Sequence, residues 1–174
     1  MNNLIYRLLS LIYRKVTPPR IYAKFLGVSI GKNCSIATKG FPREGYLITI
    51  GDNVQVTENV CFYTHGGGWV MRQEYPDFDS FGKIVVGNNV YIGNDVKIMP
   101  GVTIGNNVII GTSSVVTKSI PDNVVVTGIP ARIVKTIEEY KELNLKYNLN
   151  CKRYSYLKKK GYLLSLPDSS FIVK

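Results

Sequence analysis

Imidazole is the side chain whose ordinary titration range spans neutral pH, and the chain has one, His65, in Tyr63-Thr64-His65-Gly66. A group of that kind can take a proton from a reacting hydroxyl and return it to a leaving group. A single His excludes any site that needs several imidazoles from one chain. Cys34, Cys61 and Cys151 lack metal-ligand spacing, so no metal is expected. Cys61 as a covalent nucleophile is the weaker reading, because beside Phe62 a small buried residue explains it. Immediately after His65, residues 66–83 bring Trp69, Arg72, Glu74, Tyr75, Asp77, Phe78, Asp79 and Phe81 close together. Rings interspersed with carboxylates suit the apolar face and the hydroxyls of a sugar, and Trp69, Glu74, Tyr75 and Asp77 are the candidate contacts. The same rings could instead pack the loop on a neighbouring subunit. Gly66-Gly67-Gly68 is not a phosphate loop, because no helix pattern and no Lys-Ser/Thr follow it.

The elements that must position His65 come from a repeat. Val86, Ile92, Ile98, Ile104, Ile110 and Val116 keep an unbroken six-residue step, and Ile50, Val56 and Phe62 keep the same step earlier, as do Ile30 and Ile36. Four residues after such positions stand Val54, Val60, Val90, Val96, Val102 and Val108. Asn and Asp fill the gaps, as in Gly51-Asp52-Asn53, Gly87-Asn88-Asn89 and Gly105-Asn106-Asn107. A period of six is neither a helix face nor a long alternating strand. It fits short strands joined by corners, with the aliphatic residue inward and Gly or Asn at the bend. Three hexads then close a three-sided coil, and stacked coils bury one aliphatic column. The register leaves a two-residue excess before Ile50 and an 18-residue excess between Phe62 and Val86. The second is read as an excursion loop over residues 66–83, with His65 at its mouth. A closing segment over residues 121–134 ends the prism.

Composition limits the partners. The 174 residues carry 22 Lys and Arg against 12 Asp and Glu, a formal charge of +10. Residues 1–24 contribute +5, residues 25–134 are neutral, and residues 135–174 contribute +5. A neutral middle lacks the clustered cations that bind a phosphate backbone, so no nucleic acid is expected. The odd cysteine count argues against a disulfide framework and favours a reducing cytoplasm. The early apolar run is broken by Arg7, so no spanning helix is expected.

The stretch from Val86 to Val96, Met99-Pro100-Gly101-Val102-Thr103-Ile104-Gly105, the run from Ile110 through Thr117-Lys118 to Pro121, and Gly128-Ile129-Pro130-Ala131-Arg132 resemble the hexapeptide-repeat acyltransferases. The pattern is most similar to the maltose/galactoside and the capsule or O-antigen O-acetyltransferases. The resemblance covers about residues 30–134. It implies a mainly β fold, a left-handed parallel β-helix, assembled as a homotrimer. It implies acetyl-CoA as co-substrate and His65 as general base for direct transfer to a saccharide hydroxyl in surface-polysaccharide synthesis. It places Gly93, Asn94, Gly111 and Thr112 along the pantetheine arm, and Thr117, Lys118 and Arg132 at the nucleotide end. It puts Tyr91 where relatives often have Trp, keeping an aromatic contact to the cofactor. Gly101 leaves room for a thioester near His65. Glu58, a loop carboxylate or a backbone carbonyl could orient the imidazole. Rival readings are N-acetylation of a nucleotide-linked amino sugar and a non-catalytic solenoid that only binds. A carbonic anhydrase on this prism would need three His on zinc.

The flanks read differently. Residues 1–24 form a basic amphipathic segment, with a helix over 4–16 that either caps the prism or lies on a membrane. Residues 25–134 form the catalytic prism. Residues 135–174 form a helix over 136–148 and a basic tail that could meet a membrane or an anionic polysaccharide.

Overall fold

The computed structural model describes residue 12 and residues 14–173. Most of the expected helix over 4–16 lies outside the described residues; Ile12 and residues 14–16 are helical. Two compact units are distinguished, one ending at Ile137 and one starting at Glu138.

The first unit is built from very short strands, as a six-residue step demands. They are β1 (Ser29–Ile30), β2 (Ser35–Ile36), β3 (Ile48–Ile50), β4 (Gln55–Val56), β5 (Cys61–Phe62), β6 (Ile84–Val86), β7 (Val90–Ile92), β8 (Lys97–Ile98), β9 (Thr103–Ile104), β10 (Val108–Ile110), β11 (Val115–Val116), β12 (Val124–Gly128) and β13 (Ala131–Thr136). They sort into three sheets, β1-β3-β6-β9, β2-β4-β7-β10-β12-β13 and β5-β8-β11, which we call the first, second and third faces. From β3 to β11 the chain visits the faces in strict rotation. Every pairing is parallel except β12 with β13. Equivalent residues stack coil on coil: Phe62 on Ile98, Ile98 on Val116, Ile50 on Val86, Val56 on Ile92.

Burial explains the repeat. Ile50, Val56, Val86, Ile92, Ile98, Ile104, Ile110 and Val116 form the buried column, and all six of the second-position valines are buried beside it. Residues between them, such as Thr49, Gln55, Tyr91 and Lys97, point outward.

The corner between the first and second faces explains the Asn repeat. Asn53, Asn89, Asn107 and Asn123 have φ of 56°, 55°, 54° and 63°. Asn tolerates this left-handed region better than most side chains. Their amides form a ladder, Asn53 donating to Asn89 at 2.8 Å, Asn89 to Asn107 at 2.8 Å and Asn107 to Asn123 at 2.9 Å. One residue earlier, the side chains of Asn88, Asn106 and Asp122 accept from the backbone N–H of Asp52, Asn88 and Asn106 at 2.8, 2.8 and 2.7 Å.

Each end of the prism carries a closing element. Helix α1 (Pro19–Phe25) covers the first coil, burying Tyr22 and Ala23, with Leu26 and Val28 following. Pro18-Pro19 therefore does more than stop a helix: Pro at the first helical position also starts one. Arg20 donates to the carbonyls of Cys34 at 2.8 Å and Gly31 at 3.0 Å, so one cation of the basic flank fastens the cap. The far end closes with the antiparallel hairpin β12–β13.

The loop after His65 carries one short helix, α2 (Gly68–Met71). At the entry to the second unit and within it lie two helices, α3 (Ile137–Leu145) and α4 (Tyr156–Leu164). The first was expected over 136–148; the second was not.

Candidate active site

His65 lies at the corner between the third and first faces, three residues past the end of β5. Tyr63 N–H still donates to Ile98 O at 2.9 Å, so the coil guides the chain up to this point. Thr64 is fully buried, and its carbonyl accepts from Gly82 N–H at 2.7 Å. His65 bridges Phe81 across the base of the loop, with the two rings 5.3 Å apart. Gly82 is required there, because a Cβ would collide with the backbone of Gly101 on the next coil. Loop entry and exit are thus pinned together and His65 sits on the pin.

The imidazole has a carboxylate partner that the sequence reading did not name. His65 Nδ1 lies 3.3 Å from Glu44 Oε2, with the two side chains 46% and 19% exposed. Thr64 Oγ1 donates to the same oxygen at 3.4 Å. Glu58 is elsewhere, at the corner between the second and third faces, where its N–H donates to Asn94 Oδ1. Glu44 reaches His65 from residues 38–47, the segment that contains the two-residue excess. Phe41 anchors that segment by stacking on Phe62, with centroids 4.9 Å apart and planes 7° apart. Gly40 bridges Cys61, and Leu47 N–H donates to Glu44 O at 2.9 Å. The signals in the sequence were the excess itself and an aromatic residue, Phe62, at an aliphatic register position.

With Nδ1 on a carboxylate, Nε2 is the nitrogen left to accept a proton. Burial, and after it the Cys61 thiol, push the Tyr63 phenol above its ordinary range.

The same corner recurs on each later coil. Residues 99–101 follow β8, and Thr117 and Lys118 follow β11. Coils stack about 4.8 Å apart, so Lys118 lies about 10 Å along the axis from His65. Between them Gly101, at φ 80°, has open space where a Cβ would point. Lys118 and Arg132 share a cleft of about 420 Å³ with Ser119, Pro121 and Ala131. The structure therefore aligns His65, Gly101, Thr117 and Lys118 on one edge of the prism, while Arg132, paired with Thr127 in the closing hairpin, meets Lys118 across the cleft at its end.

Gly93, Asn94, Gly111 and Thr112 fall on the opposite edge of the third face. There Thr112 Oγ1 donates to Asn94 O at 2.8 Å, and a Cβ on Gly93 would lie 2.7 Å from Thr112 N. Tyr91 stands on the outer side of the second face between Gln55 and Ile109, 41% exposed.

Residues 68–71 form one helical turn, where the three glycines were expected to lead into no helix. Trp69 is 82% exposed and lines a second cleft of about 420 Å³ with Val70, Arg72 and Gln73. Glu74, Tyr75 and Asp77 are exposed outside that lining. Arg72 Nε donates to Phe78 O at 3.2 Å, which folds the loop on itself. Among the described residues no group of three His, Cys, Asp or Glu could hold a metal, and no helix is long and apolar enough to cross a membrane.

Residues 83–118 match the bacterial transferase hexapeptide family, described as six repeats. The chain is 45% identical to Protein CapG of Staphylococcus aureus over 161 residues, 90% of this chain and 92% of that one. It is 38% identical to the galactoside O-acetyltransferase of Escherichia coli K12 over 71% of this chain and 61% of that one. Among solved structures, a galactoside acetyltransferase in complex with coenzyme A superposes with a TM-score of 0.64 at 29% identity, covering 80% of this chain and 82% of that one. Coil order, repeat and these likenesses agree, and the chain is an enzyme of the hexapeptide-repeat acetyltransferase family.

Proposed function

We propose that the chain transfers the acetyl group of acetyl-CoA to a saccharide hydroxyl in the synthesis of a surface polysaccharide. The observation that carries this reading is the edge that joins an imidazole held on Glu44 to the Lys118–Arg132 cleft about two coils away. The names of the galactoside relatives, and the coenzyme A bound in one of them, support both the donor and the acceptor class.

In this reading Lys118 and Arg132 take the CoA phosphates by charge-assisted bonds. The thioester reaches His65 across the open backbone at Gly101. His65 Nε2 accepts the acceptor's hydroxyl proton as the oxygen attacks the thioester carbon. The tetrahedral adduct collapses with cleavage of the C–S bond, and the imidazolium returns its proton to the departing thiolate. The Glu44 carboxylate fixes the ring and supports its transient charge. Thr117 joins the nucleotide end, and Trp69, with Glu74, Tyr75 and Asp77 nearby on the loop, meets the sugar.

The coils are read as a left-handed helix, and the working enzyme as a cytoplasmic homotrimer. In such an assembly a groove between neighbours has two walls. One is the His65 edge of one prism, and the other is the Gly93, Asn94, Gly111, Thr112 edge of the next, which reconciles site residues lying on opposite edges of a single chain. Free thiols at Cys34, Cys61 and Cys151 suit a reducing compartment.

The test is release of CoA thiol from acetyl-CoA against a panel of neutral and anionic saccharides, each hydroxyl acceptor paired with its amino counterpart. The reading expects turnover with a hydroxyl acceptor. It expects His65→Ala to reduce that turnover about 10³-fold while CoA affinity and assembly stay intact. Unchanged turnover in His65→Ala, or turnover confined to amines, refutes it.

A further inference from the structure

Helix α4 turns its apolar side to solvent. On its inner side Tyr162 meets Tyr154 edge to face at 5.6 Å, and Lys158 Nζ lies 4.3 Å from the Tyr154 ring centre. On its outer side Tyr156, Leu157 and Leu164 are 79%, 77% and 77% exposed. Tyr156, Lys159, Lys160, Leu163 and Leu164 surround a groove of about 340 Å³. A helix that only decorates a water-soluble surface shows the reverse arrangement.

The surrounding charge is of one sign. Residues 143–167 contain six cations, Lys146, Lys152, Arg153, Lys158, Lys159 and Lys160, and no Asp or Glu. Whatever covers the leucines must tolerate or want that charge.

We propose that α4 docks on an anionic lipid bilayer, lying in the headgroup layer. Leu157 and Leu164 enter the acyl boundary, Tyr156 sits at headgroup level, and the lysines meet lipid phosphates. Lys160 lies among the apolar residues, where its methylene stem can run along the leucines while its ammonium returns to the phosphates. Two other occupants fit less well. A second copy of α4 would bring like charge against like charge. A soluble polyanion would use the lysines and leave the leucines in water.

The experiment is flotation of the full chain with phosphatidylcholine vesicles, with and without phosphatidylglycerol. Binding is expected only with phosphatidylglycerol, and it should weaken as salt rises. Each lysine near such a surface is worth about fivefold in partitioning, so Lys159→Gln with Lys160→Gln should lower binding about 25-fold. Leu157→Ser with Leu164→Ser should lower it at least about tenfold with an unchanged melting temperature, because both side chains are exposed. Three outcomes overturn the proposal: no flotation, flotation indifferent to the leucine changes, or leucine changes that dissociate an oligomer instead. His65→Ala should float like the unaltered chain, so failure here and failure of the acetyl-transfer reading are told apart.

Discussion

Two corners of the prism show different uses of the same coil. At the corner between the first and second faces, the coils from Asn53 to Asn123 repeat the same solution. Asn stands at positive φ, its amide bonds to the next Asn, and the neighbouring side chain accepts from the backbone of the coil before it. At the corner between the third and first faces, the repeat is broken twice. Residues 38–47 carry Glu44 in, and residues 66–83 leave from His65. The regular corner does folding and the irregular one is where groups that can react are gathered. In a solenoid, the departures from the period point to chemistry better than the period does.

That contrast can be broken experimentally. The largest effect on stability is expected in the column that both corners share. Ile98 is fully buried between Phe62 and Val116. Ile98→Ala should cost about 2–5 kcal/mol in chemical denaturation, because the stacked coils above and below cannot collapse into the gap. A cost under about 1 kcal/mol would mean that the column is not continuous. Next comes the regular corner itself. Asn89→Ala removes two ladder bonds and leaves a Cβ residue at φ 55°. It should cost about 2 kcal/mol while leaving the turnover of the folded enzyme unchanged. A loss of turnover at full stability would erase the distinction between the corners.

The smallest effect belongs to the end of the ladder. Two bonds from Asn106, one from its backbone and one from its side chain, hold the Asp122 carboxyl below its ordinary 3.8. A carboxyl held down in the folded state contributes stability above its ordinary value and loses it as pH falls through the lowered one. Hydrogen exchange at the Asn106 amide should therefore accelerate only in acid below about 3.8. In Asp122→Asn that acid step should vanish. An acid step that persists in Asp122→Asn would assign it to another group.

The period made the three faces, the inward residues and the Asn bends legible, because each repeats and each has a local cause. His65 was legible as a lone imidazole at the point where the register fails. Glu44 was not, because its contact is made across the coil by Phe41 stacking on Phe62, and only the two-residue excess and the aromatic Phe62 in an aliphatic register position hinted at it. Helix α1 was hidden because a Pro pair reads as a stop as readily as a start. Helix α4 was hidden because its lysine run and Gly161 leave no clean apolar stripe. The alignment of Lys118 with Arg132 needed the closing hairpin to fold back, which no local signal states.

The most direct test of the account is a double-mutant cycle on single-turnover acetyl transfer, with Glu44→Gln, His65→Ala and both together. If Glu44 acts through His65, Glu44→Gln should slow transfer about tenfold without changing acetyl-CoA affinity, and His65→Ala about 10³-fold. The double variant should be no slower than His65→Ala alone. Full activity in Glu44→Gln, or losses that multiply in the double variant, would contradict the claim that the broken corner assembles a single proton-transferring unit.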